Sequence, residues 1–132
     1  MNFNKLIPEL SVTDINKTRE FYVDILGFKI CYERPEDKFI FVEKDGNQIM
    51  LEQINGNWNV GKMEYPFGRG INFEMTISDV DAVYERIEKA GIKLFMKMEI
   101  KDYECGNEIV HQKQFLVQDP DGYLLRFVDW AE

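Results

Sequence analysis

Three glutamates and one arginine stand where strand periodicity would aim them into one space: Glu9, Glu52, Glu74 and Arg126. Glu9 and Glu74 belong to a segment that the chain uses twice. Glu9-Leu-Ser-Val-Thr-Asp14 matches Glu74-Met-Thr-Ile-Ser-Asp79 class by class, at a constant offset of 65. Each copy alternates as a strand does. Leu10 and Val12 take one face, as do Phe73, Met75 and Ile77. The other face carries Ile7, Glu9 and Ser11, and its counterparts Asn72, Glu74 and Thr76. That face is too polar for a plain core and reads as the wall of a wet cavity. Three carboxylates against one guanidinium leave a net negative charge that suits an amine- or guanidine-bearing ligand. The same four groups also fit an internal network, because a buried arginine must be paired. Arg126 as the anchor of an anionic ligand is a third reading. A carboxylate acting as general base, with Arg126 as electrostatic stabiliser, is the enzymatic one.

The elements that must position these groups follow the repeat. Asp14 is a suitable N-cap for a helix with apolar positions Ile15, Thr18, Phe21, Tyr22, Ile25 and Leu26, ended by Gly27. Strands are expected over 28–33, 38–43 and 48–53, with a polar turn over 34–37 and an Asp45-Gly46 hairpin signal. The second half repeats the plan. A strand over 71–77 leads to Asp79 as N-cap, then to a helix with the stripe Val80, Val83, Tyr84 and Ile87, ended by Gly91. Strands are expected over 93–100, 108–117 and 123–129, with a turn over 103–107. The segment 54–70 has no period and carries Trp58, Tyr65, Phe67 and Arg69. A connection of that length in a small domain reads as a functional loop, its aromatics serving as a lid or as dimer contacts. The expected fold is α+β: two βαβββ modules in tandem forming a cupped mixed β-sheet cleft with helices outside. Residues 1–132 form a single domain, with repeat 1 over about 6–53 and repeat 2 over about 71–129.

Composition removes several classes of function. A net charge of −8 argues against nucleic acid, whose phosphates need a basic face. No apolar run is long enough to span a membrane. Met1-Asn-Phe-Asn-Lys5 lacks the apolar stretch of a secretion signal, so a cytoplasmic location is expected. Cys31 and Cys105 have no metal-motif spacing and read as reduced thiols. His111, the only histidine, reads as a surface strand residue. Asp119-Pro-Asp-Gly122 reads as a type I turn rather than a catalytic motif.

The order of elements resembles the vicinal oxygen chelate superfamily of glyoxalase I, extradiol dioxygenases and bleomycin-resistance proteins. The residues that carry the resemblance are Glu9-Leu-Ser-Val-Thr-Asp14, Phe21-Tyr22 with Leu26-Gly27-Phe28, and Gln118-Asp-Pro-Asp-Gly-Tyr-Leu-Leu-Arg-Phe127. The resemblance implies four positions where enzymes of the superfamily hold a divalent metal, here Ile7, Met50, Asn72 and Arg126. Ile and Met offer no hard donor, and Arg would repel a cation. No metal and no other cofactor is therefore expected. The branch most similar is the metal-free one of bleomycin-resistance proteins, which are small acidic homodimers with clefts at the subunit interface. By this resemblance the protein would bind a small molecule, such as a cationic glycopeptide antibiotic, and act by sequestration rather than catalysis. The alternative is a divergent isomerase or lyase using a cleft carboxylate and Arg126. The expected ligand-binding residues are Glu9, Phe41, Met50, Glu52, Trp58, Asn72, Glu74, Tyr103 and Arg126, with no catalytic residue assigned. The expected partner, besides the ligand, is a second copy of the chain.

Overall fold

The computed structural model describes residues 1–131. Eight strands form two four-stranded mixed sheets. The first has the order β1-β4-β3-β2, built from β1 (Glu9–Val12), β2 (Lys29–Arg34), β3 (Phe39–Lys44) and β4 (Asn47–Gln53). The second has the order β5-β8-β7-β6, built from β5 (Asn72–Thr76), β6 (Leu94–Cys105), β7 (Glu108–Gln118) and β8 (Leu124–Ala131). In each sheet the first strand pairs parallel to the last, and the other neighbours are antiparallel. The two orders are the same, so the repeat in sequence is a repeat in topology. Helix α1 (Ile15–Arg19) and helix α2 (Val80–Lys89) fill the matching places after β1 and β5.

The apolar alternation dictates how the modules join. Leu10, Val12, Ile49 and Leu51 of the first sheet, and Met75, Phe115, Leu125 and Phe127 of the second, belong to one continuous buried cluster. Tyr22 from the first module and Val83 and Ile87 from α2 complete it. Removing this much apolar surface from water is the main favourable term in the fold. None of the helices among the described residues is long and apolar enough to cross a membrane.

Four local expectations need correction. The first helix is not α throughout: after Arg19 it widens into a π-helix over Glu20–Ile25. Gly27 lies 13 residues after Asp14, while Gly91 lies only 12 after Asp79. The wide turn, with Leu26 N–H donating to Phe21 O at 3.0 Å, takes up that extra residue. The turn expected over 103–107 is confined to Gly106-Asn107, because β6 runs on to Cys105. The polar stretch after Arg34 is a short 3-10 helix, Pro35–Asp37. Finally, Asp79 makes no capping hydrogen bond, whereas Asp14 accepts from the N–H groups of Asn16 and Lys17. The Asp79 carboxylate is drawn off by Lys44, whose Nζ lies 2.9 Å away.

The Asp-Pro-Asp-Gly turn is structural and also joins the modules. Asp119 accepts from the N–H groups of Asp121 and Tyr123, at 2.9 and 3.0 Å, and from the Tyr22 hydroxyl at 2.7 Å. Asp121 accepts from the Thr13 hydroxyl at 2.6 Å and from Thr13 N–H at 3.1 Å. The Tyr123 hydroxyl donates to Ser11 O at 2.9 Å. The aperiodic segment is clamped onto this turn. Phe67 N–H donates to Asp121 O, and the Phe67 ring packs edge-on against Tyr123. Phe67 is therefore core, while Trp58 and Tyr65 stay mostly exposed. Gly122 is required there: its φ is +96°, and an added Cβ would lie 2.6 Å from Pro66 Cα.

Candidate functional site

The strand registers sort the expected residues into two walls. On the first sheet, Glu9, Met50, Phe41 and Tyr32 lie side by side across four strands. The next row on the same face is Ser11, Glu52, Phe39 and Arg34. The rings pack on one another: Tyr32 stacks on Phe41 at 5.1 Å and on Phe39 at 5.9 Å. Phe3, from the segment before β1, tilts against Phe41 from above. Gln48 holds that segment down, accepting from Asn4 N–H and donating to Asn2 O, both at 2.7 Å. Glu52 is 8% exposed and accepts from the Asn55 amide at 3.0 Å. Glu9 and the exposed Trp58 border a hollow of about 350 Å³ at the edge of this wall. Burial raises the Glu9 carboxyl above its ordinary value, the Glu52 charge adds to the rise, and the Arg34 guanidinium opposes it.

The second wall is a hydrogen-bonded ring of polar side chains. Arg126 sits opposite Glu74 in the β5–β8 register and donates to its carboxylate at 2.9 Å. Glu74 also accepts from the Gln112 amide at 3.0 Å, and Gln112 donates to Gln114 at 2.8 Å. Gln114 bonds the Tyr103 hydroxyl, and the Arg126 guanidinium lies 5.5 Å from the centre of the Tyr103 ring, closing the circuit. Gln112 and Gln114 are 1% and 3% exposed. Sequence reading missed both, although a signal was present. They fall on the cleft-facing positions of β7, where an alternating strand should carry apolar residues if the wall were core. Arg126 Nε is buried with no hydrogen-bond partner among the described residues. Its guanidinium is thus only partly used by Glu74.

The structure therefore brings together Glu9, Phe41, Met50, Glu52 and Trp58 on one side, and Glu74, Tyr103 and Arg126 on the other. Asn72, exposed, lies at the rim. Arg126 is paired with Glu74 alone; Glu9 and Glu52 make no ion pair with it among the described residues. Residues of both modules line a hollow of about 290 Å³, with Leu6, Pro8 and Gln48 from the first and Asn72 and Glu74 from the second. A larger hollow of about 690 Å³ lies at the module junction between Phe21, Tyr65, Phe95 and Asp119. Volume alone would favour it. Its buried carboxylate, however, is consumed by three hydrogen bonds, from Tyr22 and from the turn itself, and so is not free to meet a ligand.

Other singled-out residues have local roles. Arg69 donates to Tyr65 O at 2.9 Å. His111 pairs with Asp102 on the exposed β6–β7 arm. Cys31 lies beside Glu43, and burial raises its thiol. Both cysteines are free.

A metal fits poorly. Of the four expected donor positions, Ile7 and Met50 present hydrocarbon and thioether, Arg126 is itself a cation tied to Glu74, and Asn72 supplies one amide oxygen. Among the described residues, no group of three or more His, Cys, Asp or Glu side chains is placed to hold an ion.

Two βαβββ modules, each with one sheet face in the shared apolar core and the other forming a wall, define the class of small glyoxalase-fold proteins. The chain belongs to the Glyoxalase/Bleomycin resistance protein/Dioxygenase superfamily, whose profile matches residues 6–127. A bleomycin resistance protein from Geobacillus stearothermophilus is 28% identical over 130 residues, covering 92% of each chain. A lactoylglutathione lyase from Haemophilus influenzae is 26% identical over 125 residues, covering 91% of this chain and 87% of its own. A solved superfamily member from Vibrio splendidus 12B01 is 40% identical, covering 91% of this chain and 93% of its own, with a TM-score of 0.42.

Proposed function

We propose that this is a metal-independent small-molecule binding protein, which sequesters a cationic or aromatic ligand of the glycopeptide-antibiotic kind in the cytoplasm. The observation that carries the reading is the make-up of the walls. One offers ring faces beside carboxylates, and the other a ring of amides, a hydroxyl and a guanidinium. Neither gathers the hard donors that a Lewis-acid centre needs. The bleomycin-resistance relative, similar along nearly its whole length, supports the same reading.

The cleft is completed by a second copy. The first wall of one protomer faces the second wall of its partner, because each wall within one chain is a half-site whose charged groups do not meet. Aromatic faces then take the ligand rings, and Glu9 and Glu52 meet its cationic groups. A thermal-shift titration with metal-free bleomycin, run beside nickel and manganese, tests the binding role. Saturable stabilisation by the drug alone is expected, since a ligand of the native state raises apparent stability. A shift with metal alone would overturn it. Mixing Glu9→Ala with Tyr103→Ala protomers tests the composite cleft: heterodimers should regain one binding site for every two chains. No recovery means that each chain carries a whole site.

A second reading is an isomerase or lyase with Glu9 as general base and Arg126 as electrostatic stabiliser. The raised Glu9 carboxyl favours it. Its mark would be turnover of an acidic small molecule that is lost in Glu9→Gln.

A further inference from the structure

The first wall already holds a cation, and it is the chain's own. Arg34, the last residue of β2, lays its guanidinium 3.9 Å from the centre of the Phe39 ring and 5.9 Å from that of Tyr32. Its only ion-pair partner among the described residues is Asp37, at 3.4 Å, and both side chains are about half exposed (49% and 59%). An exposed pair of that kind is weak and does not explain the seating. The ring face does. A guanidinium over an aromatic face gains from the ring quadrupole, and the gain grows as water is excluded. The field is also right. Phe39 lies between Arg34 and Glu52 on one row of the sheet, and Glu9 stands on the next.

We propose that this seat over Phe39 and Tyr32 is the cation subsite of the cleft, that it takes a planar delocalised cation, and that Arg34 is a tethered occupant which the ligand must displace. The inference rests on the binding role proposed above and names the ligand class within it: a guanidinium, an amidinium or a cationic heteroaromatic ring. A compact, strongly hydrated ammonium fits less well, because it cannot lie flat on the rings and gives up more hydration. Arg34 then acts as a built-in competitor. Its tether sets a high effective concentration, so it weakens every incoming cation and screens out weak ones. It also shields Phe39, which is 1% exposed although it lies on the polar face.

Benzamidinium and its neutral counterpart benzamide are the probes, titrated by calorimetry into the whole protein. Arg34→Gln should bind benzamidinium on the order of tenfold more tightly than the native chain. Arg19→Gln removes an equal charge from an exposed pair with Glu33 and should change nothing. Benzamide should bind Arg34→Gln no better than it binds the native chain. Equal gains in the two arginine variants, or equal gains for benzamide, would overturn the proposal. In the native chain, the Arg34 Nε–H resonance should move as benzamidinium saturates the site, and a stationary resonance overturns it whatever the variant's folding. The two readings fail separately. If bleomycin gives no shift while benzamidinium responds to Arg34→Gln, the seat stands and the antibiotic reading falls. If bleomycin binds and benzamidinium ignores the substitution, the reverse holds.

Discussion

Each module clasps the other through its last hairpin, and the two clasps differ. The Asp45-Gly46 turn of the first module caps the segment before α2: Asp45 accepts from Ser78 N–H at 2.9 Å and from its hydroxyl, all near solvent. The pseudo-equivalent Asp121 of the second module caps Thr13 in the same way but is 3% exposed. The second clasp also has Asp119 behind it, bonded to Tyr22 from the first helix, and the Phe67 loop in front. Where the first turn has Lys44, bridging to Asp79, the second has Pro120. One repeated sequence element thus makes a wet electrostatic clasp on one side and a dry hydrogen-bonded one on the other. A buried polar group costs the full desolvation energy if its partner is lost, whereas an exposed one falls back on water. The dry clasp should therefore carry far more of the stability.

The contrast can be broken by substitution. Asp119→Ala strands two buried N–H groups and the Tyr22 hydroxyl, and should cost about 3–4 kcal/mol in urea unfolding. Gly122→Ala, forced against Pro66 at positive φ, should cost about 3 kcal/mol. A loss below about 1 kcal/mol in both would show that the dry clasp is not dominant.

The same carboxylate gives the clasp a pH signature. Burial lifts the Asp119 carboxyl from its ordinary value to about 6, although its hydrogen bonds to Tyr22, Tyr123 and Asp121 pull the other way. The native state then holds this proton to higher pH than the unfolded chain. Stability should fall as pH rises from about 4 to about 6, by up to about 3 kcal/mol from this group, and be level above. Asp119→Asn should abolish that slope while keeping the turn. A slope that survives assigns the effect to other groups, with Glu9, raised in the same direction, first among them. Tyr22→Phe should cost about 1–2 kcal/mol and extend the slope to higher pH, because the hydroxyl stabilises the charged carboxylate.

The wet clasp supplies the smallest effects. Asp45→Ala should cost at most about 1 kcal/mol, because Ser78 N–H and its hydroxyl fall back on water. An Asp45→Ala loss equal to that of Asp119→Ala would erase the distinction between the modules.

Much of this was legible beforehand, and the limits have physical reasons. The period-2 alternation of Leu10, Val12, Met75 and Ile77 is a local constraint, so strands and faces were readable. The extra residue before Gly27 was countable, but a count does not say whether a loop or a wide helical turn absorbs it. Asp14 and Asp79 look alike as caps. Only the arrival of Lys44 from another strand separates them, and that contact is not local. The buried amides of Gln112 and Gln114 escaped because a glutamine on a strand is ordinarily a surface residue; burial and mutual bonding are set by neighbouring strands.

By itself, the sequence determined the doubled βαβββ plan and the strand faces on which Glu9, Glu52, Glu74 and Arg126 stand. These depend only on side-chain chemistry and its spacing along a pleated or helical backbone. The tertiary structure decided which charges meet. Arg126 goes to Glu74 and not to Glu9 or Glu52, Asp119 goes into the junction, and Arg34 lies on Phe39. Pairings across strands and modules depend on distances in space, and spacing along the chain does not fix those.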